Sequence, residues 1–126
     1  MNTYYKTLGN FGEELACTYL LKNKYCILEK NFQNRKGYKL GEIDIIAKRK
    51  HKIHFIEVKT RNTSQYLRHP LQNITSKKLR MMEKMGNYYI SKYNLWSTPH
   101  QYDAISIVVS HDWAVETLQH IENIFL

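Results

Sequence analysis

Apolar residues recur at three- and four-residue spacings through Leu8, Phe11, Leu15, Ala16, Tyr19 and Leu20, which predicts an amphipathic helix over 8–24. The pattern then shortens to strand length. A strand is predicted within 25–34, followed by a basic turn or loop at Arg35, Lys36, Gly37, Tyr38 and Lys39. Two further strands, 42–47 and 53–60, flank a tight polar connection at 49–51, giving an antiparallel meander behind the first helix. A polar loop is expected at 61–70. A second helix is predicted over 74–93, because Ile74, Met81, Met82, Met85, Tyr88 and Tyr89 share one broad arc. The methionines there read as core packing. The run 104–109 is almost wholly apolar and fits a covered strand, and 113–118 closes the chain as a strand or a short helix. Helices over a mixed sheet suit this order of elements, so an α/β fold is expected, with 1–126 as one domain.

Composition narrows the function classes. The chain of 126 residues is 43% apolar, enough for a core, and carries 19 Lys and Arg against 11 Asp and Glu, a formal charge of +8. Such an excess favours a polyanionic partner, nucleic acid before acidic membrane. No apolar run approaches the ~20 residues of a membrane span, and the N-terminus lacks a secretory pattern. Cys17 and Cys26 stand in unlike contexts and suggest neither a zinc cluster nor a disulfide framework. A cytoplasmic location without membrane association is the expectation.

Charged residues interrupt the apolar strands. Alternation places Glu42 and Asp44 on one face of their strand, and Glu57, Lys59 and Arg61 on one face of the next. If the two strands pair through the short turn, Asp44 and Glu57 converge. They would supply hard oxygen ligands for Mg2+, with Mn2+ as a substitute, and the backbone carbonyl of Val58 could add another. Lys59 would then face a scissile phosphate, orient water and stabilise developing negative charge. The alternative is a solvated cross-strand ion pair, although apolar neighbours such as Ile43, Ile45, Phe55 and Ile56 argue for a partner or ligand. On the first helix Glu13 lies at the edge of the apolar arc, whereas Glu14 points closer to solvent.

The segments Gly41-Glu42-Ile43-Asp44-Ile45-Ile46 and Phe55-Ile56-Glu57-Val58-Lys59-Thr60-Arg61 resemble the YraN family, also called UPF0102. So do Gly12-Glu13-Glu14-Leu15-Ala16 and Tyr102-Asp103-Ala104-Ile105. The resemblance covers most of the chain, and it extends to Holliday-junction resolvases and other restriction-endonuclease-like nucleases. It implies a restriction-endonuclease-like three-layer core, a mixed β-sheet flanked by helices, with Glu13, Asp44, Glu57 and Lys59 at an acidic metal site. It favours Glu13 over Glu14 as an outer ligand. It also implies phosphate contacts from Arg61 and from one lysine of the second helix, Lys77 or Lys78, of which Lys78 falls inside the apolar arc.

The loop cations Arg35, Lys36 and Lys39 could follow a phosphate backbone while Tyr38 stacks on a base. His54 should face away from Glu57, the six histidines show no compact metal motif, and Asp103 is read as starting its strand outside the catalytic set. The expected function is metal-dependent phosphodiester hydrolysis of DNA, branched or damaged DNA in particular, with RNA left open. A nonhydrolytic nucleic-acid-binding module and an interaction protein with an inactive cleft are the alternatives. A homodimer stays open, and no specific protein partner is identifiable.

Overall fold

The computed structural model describes residues 7–34, 40–63 and 74–125. Helix α1 spans Leu8–Lys22, and its N-cap Thr7 accepts the Asn10 N–H at 3.1 Å. Strands β1 (Cys26–Gln33), β2 (Glu42–Arg49) and β3 (Lys52–Asn62) follow as an antiparallel meander. Lys50 and His51 join β2 to β3 with φ values of 51° and 65°, the backbone a two-residue hairpin of this twist requires. Helix α2 (Ser76–Lys92) then crosses to β4 (His100–Val109), which pairs parallel to β3. Parallel neighbours need such a crossover. Strand β5 (Val115–Ile121) returns antiparallel on β4, giving the sheet order β1-β2-β3-β4-β5.

A mixed sheet covered by helices is therefore the architecture. One core gathers Ala16, Cys17 and Leu20 of α1 against Ile45, Ala47, Ile56, Ile105 and Ile107. The other gathers Met82, Met85, Tyr89 and Ile90 of α2 against Phe32, Ile43, Ile46, Phe55 and Tyr102. Full burial of a side chain such as Phe55 contributes about 1.5–3 kcal/mol. Two glycines let the helices close on the sheet. A Cβ at Gly12 would stand 1.6 Å from Thr60 Oγ1, and one at Gly86 would stand 2.2 Å from the Tyr102 hydroxyl.

The elements expected from periodicity are present, with three corrections. Arg61 belongs to β3, not to a loop, because the β3–β4 ladder continues to Asn62↔Val109. Asp103 lies inside β4, which starts at His100; the polar residues before Ala104 concealed that extension. Strict alternation along β2 also fails. Ile43 packs with α2 and Ile45 with α1, so the strand changes face at Asp44. Opposite it, between the pairs Lys30↔Ile45 and Phe32↔Ile43, Asn31 has φ 53°, a conformation asparagine tolerates better than most residues. The last element is the strand of the two options, shifted toward the C-terminus. Arg35, Lys36 and Lys39 lie outside the described residues, as does most of the expected 61–70 loop.

Candidate active site

The β2–β3 ladder runs from Arg49↔Lys52 to Ile45↔Ile56 and stops there. Beyond that point a side chain replaces the backbone partner: Asp44 Oδ2 accepts the Val58 N–H at 2.8 Å. N–H and C=O of one strand residue leave on the same edge, so the Val58 carbonyl faces the parted strands too. The parting leaves the Asp44 carboxyl near enough to Glu57 for the two to interact electrostatically. Burial pushes the Asp44 carboxyl up to about 8, helped by the neighbouring Glu57 carboxylate and opposed by the Val58 N–H.

Glu57 is only 3% exposed, and among the described residues its Oε1 has no hydrogen-bond partner. Its Oε2 takes Lys78 Nζ at 3.0 Å and Lys59 Nζ at 3.7 Å. Lys78 comes from α2. The Thr75 hydroxyl caps that helix on the Lys78 N–H at 3.1 Å, and Lys78 precedes Met82 by one turn on the core-facing stripe. Its aliphatic stem follows the apolar face while the ammonium reaches the carboxylate. Lys77 is exposed.

Arg61 extends the same face of β3. It is 5% exposed, and among the described residues Nη1 and Nη2 both lack partners. Burial lowers the pKa of the guanidinium. An unpaired buried guanidinium is costly.

Glu13 approaches from α1, because Gly12 seats that helix against Thr60. With the Asn31 amide turned nitrogen-first, it donates to Glu13 Oε1 at 3.0 Å and to Glu42 Oε1 at 2.8 Å. Burial first, then Glu42 and Glu57, raise the Glu13 carboxyl, while Asn31 and Lys30 oppose the shift. Asn10, Glu13, Glu14, Lys30 and Asn31 line a cavity of about 220 Å³ there. Glu14 is exposed and pairs with Lys30 at 2.9 Å, an ordinary surface ion pair. Asp44 and Glu57 thus lie as electrostatic neighbours, and Asn31 bridges Glu13 to Glu42 beside them. The two glutamates differ as helical geometry expects.

A second polar cluster lies on the opposite face of β3. Asp103 is 0% exposed and accepts from His54 Nδ1 at 2.7 Å and from His120 Nε2 at 2.9 Å, both on Oδ2. Its Oδ1 accepts Gln101 Nε2 at 2.8 Å and the Asn123 N–H at 3.2 Å. Tyr19 Oη pairs with His120 Nδ1 at 2.9 Å. These donors hold the Asp103 carboxyl far below its ordinary value despite burial, which opposes them. His54, Asp103 and Glu122 each offer a ligand atom within 4.8 Å of the others, so the group could hold a divalent cation. His54 does face away from Glu57. Sequence spacing missed the cluster, because His54, Asp103 and His120 come from three different strands and Glu122 follows the last of them; a buried-strand Asp at 103 beside Gln101 was the available signal.

The chain's similarity to known proteins follows the same segments. The family model described as "Uncharacterised protein family UPF0102" matches residues 12–107, which contain all of β1 to β3 and both candidate carboxylates. The chain belongs to the UPF0102 family. A UPF0102 protein of Clostridioides difficile is 38% identical over 120 residues, covering 95% of this chain and 97% of the relative. One from Sulfurimonas denitrificans is 39% identical over 118 residues, covering 94% and 95%. One from Geobacter metallireducens is 38% identical over 125 residues, covering 99% and 97%. Among the described residues of this UPF0102 chain, no helix is long and apolar enough to cross a membrane.

Proposed function

We propose that this UPF0102 chain is a divalent-metal-dependent phosphodiester hydrolase acting on DNA, branched or damaged DNA in particular, with 1–126 working as one restriction-endonuclease-like domain in the cytoplasm. The observation that carries this reading is the meeting of Asp44 and Glu57 where β2 leaves β3, with Lys59 and Lys78 on Glu57. Two carboxyls held together and one orphaned buried oxygen, Glu57 Oε1, fit a hard cation. Asp44 and Glu57 would hold Mg2+ or Mn2+, joined by the Val58 carbonyl, with Glu13 outside them. Such a metal supplies Lewis acidity and a more acidic bound water.

The chain's own groups do the rest. Lys59 places an ammonium beside the carboxylates, where it stabilises charge gathering on a phosphate and orients water. Arg61 offers paired N–H donors to an adjacent phosphate oxygen. Lys78 neutralises Glu57 from α2.

The test is a cleavage assay with Mg2+ and Mn2+ over branched, duplex and single-stranded DNA and RNA. Wild type should cut at least one DNA, and Asp44→Asn and Glu57→Gln should abolish the cut. Equal cleavage by these variants would overturn the assignment, and intact nucleic-acid affinity without any cleavage would favour a binding module. The His54, Asp103 and Glu122 group supports a second reading, in which the metal sits on the other face of β3. Calorimetry separates them: Mn2+ binding lost in Asp44→Asn and kept in His54→Gln supports the carboxylate pair, and the reverse supports the histidine cluster.

A further inference from the structure

Segments 15–28 and 45–56 contain Lys22, Lys24, Lys48, Arg49, Lys50 and Lys52, and not one Asp or Glu. The remaining thirteen basic residues are nearly offset by the eleven acidic ones, so most of the +8 excess sits in these two segments. The fold puts them at one end. The C-terminal turn of α1 meets the β2–β3 hairpin, and Lys22, Asn23, Lys24, Arg49 and Lys50 line a cavity of about 450 Å³. None of its lysines makes an ion pair among the described residues. Arg49 lies 4.4 Å over the Tyr25 ring, which holds its guanidinium in place. The helix end does not present bare carbonyls to an anion. The Asn23, Lys24 and Tyr25 N–H groups already take those of Tyr19, Leu20 and Leu21.

We infer that this cavity, lined by Lys22, Lys24, Arg49 and Lys50, is a second phosphate-binding site that grips the backbone of duplex DNA at a distance from the Asp44 and Glu57 carboxylates. The inference rests on the proposed reading only for the identity of the polyanion. Asp44 lies in β2 and Lys50 in the turn that follows it, six residues on, so the two are at most roughly 20 Å apart. That is less than the ~34 Å turn of a duplex, so a duplex two turns long that passes the hairpin end of the sheet is long enough to reach both. The acidic site needs such help, because Glu13, Glu42, Asp44 and Glu57 would repel the backbone they are meant to cut. A distant cationic grip supplies the sequence-independent attraction and leaves the carboxylates free.

The test compares two triple variants of the full chain. Lys22→Gln, Lys24→Asn and Lys50→Asn together remove three exposed cations of the site. Asparagine suits Lys24 and Lys50, whose φ values are 68° and 51°. Arg80→Gln, Lys84→Gln and Lys92→Gln together remove the same charge from α2. Binding of a labelled duplex two helical turns long is followed by fluorescence anisotropy across a salt titration, without divalent metal, so failure of hydrolysis leaves the readout intact. The site variant should lose at least about tenfold in affinity at ~0.1 M salt, and its salt slope should fall by about two to three. The α2 variant should change far less. Equal losses in the two variants would overturn the site in favour of a general charge effect. So would no measurable duplex binding by wild type, or unchanged duplex binding by the site variant with loss of binding to phosphatidylserine vesicles.

Discussion

Lys59 and Lys78 both reach Glu57 Oε2, at 3.7 and 3.0 Å, from different elements. The nearer lysine comes from α2 and ties that helix to the sheet; Lys59 shares the strand of Glu57 and is better placed to act on what Glu57 holds. Lys59→Ala should lower single-turnover cleavage at least about tenfold, ~1.4 kcal/mol of transition-state stabilisation, with DNA and Mg2+ affinity little changed. Quench-flow at saturating substrate reads this directly, and unchanged cleavage removes Lys59 from the mechanism. Arg61 carries the opposite balance of fold and function. Its unpaired Nη1 and Nη2 are buried, so replacing the guanidinium with an apolar side chain of similar length relieves a desolvation cost. Arg61→Met should stabilise the metal-free protein by about 1–3 kcal/mol in urea unfolding while weakening DNA binding. A loss of stability would mean the guanidinium supports the core instead.

At the scale of elements, the approach of α1 to β3 decides where Glu13 stands. Gly12 is the point of closest contact, with Thr60 Oγ1, Cβ and Cγ2 all inside 3.0 Å of where its Cβ would be. A β-branched threonine in a paired strand cannot swing aside, so the helix itself must move. Gly12→Ala should therefore cost about 1–3 kcal/mol and displace Glu13 from the Asn31 bridge. Thermal unfolding measures the first effect. Rescue by a compensating Thr60→Ser or Thr60→Ala would identify the contact as the cause. Helical periodicity announced α1 and the edge position of Glu13, but not this seat; a glycine within a helix has no unique reading until the surface it touches is known.

Across the whole molecule, Asp103 joins β3, β4 and β5, and through His120 and Tyr19 it reaches α1. Its folded pKa lies below the ordinary aspartate value of 3.8, so its stabilising contribution is complete above that unfolded value. It is lost as pH falls through about 4 toward the lower folded value. Asp103→Asn turns one acceptor into a donor facing other donors. The variant should be at least about 2 kcal/mol less stable at neutral pH, and the gap should narrow as acid protonates the carboxyl of the unfolded wild-type chain. Urea midpoints from pH 7 down to pH ~3 check the trend; a gap independent of pH would mean that packing, not the carboxylate charge, is what Asp103 contributes.

Elements follow from periods that a few neighbouring residues define, so α1, the meander, α2 and the apolar heart of β4 were readable in the chain. The common face of Glu57, Lys59 and Arg61 was readable for the same reason, since alternation along one strand needs no knowledge of its partners. Everything that depends on register or on a partner element was decided only in three dimensions. The β2–β3 ladder ends at Ile45↔Ile56, and that ending lets Asp44 turn to Val58 and Glu57. The face change at Asn31 and Asp44 breaks the very alternation that sequence reading assumes. His54 and His120 converge on Asp103 from sequence separations of 49 and 17, which the parallel crossover and the β4–β5 return close up. Local sterics write the period of a strand or helix into the sequence, whereas these meetings depend on how strands are registered and ordered, which no short window of residues encodes.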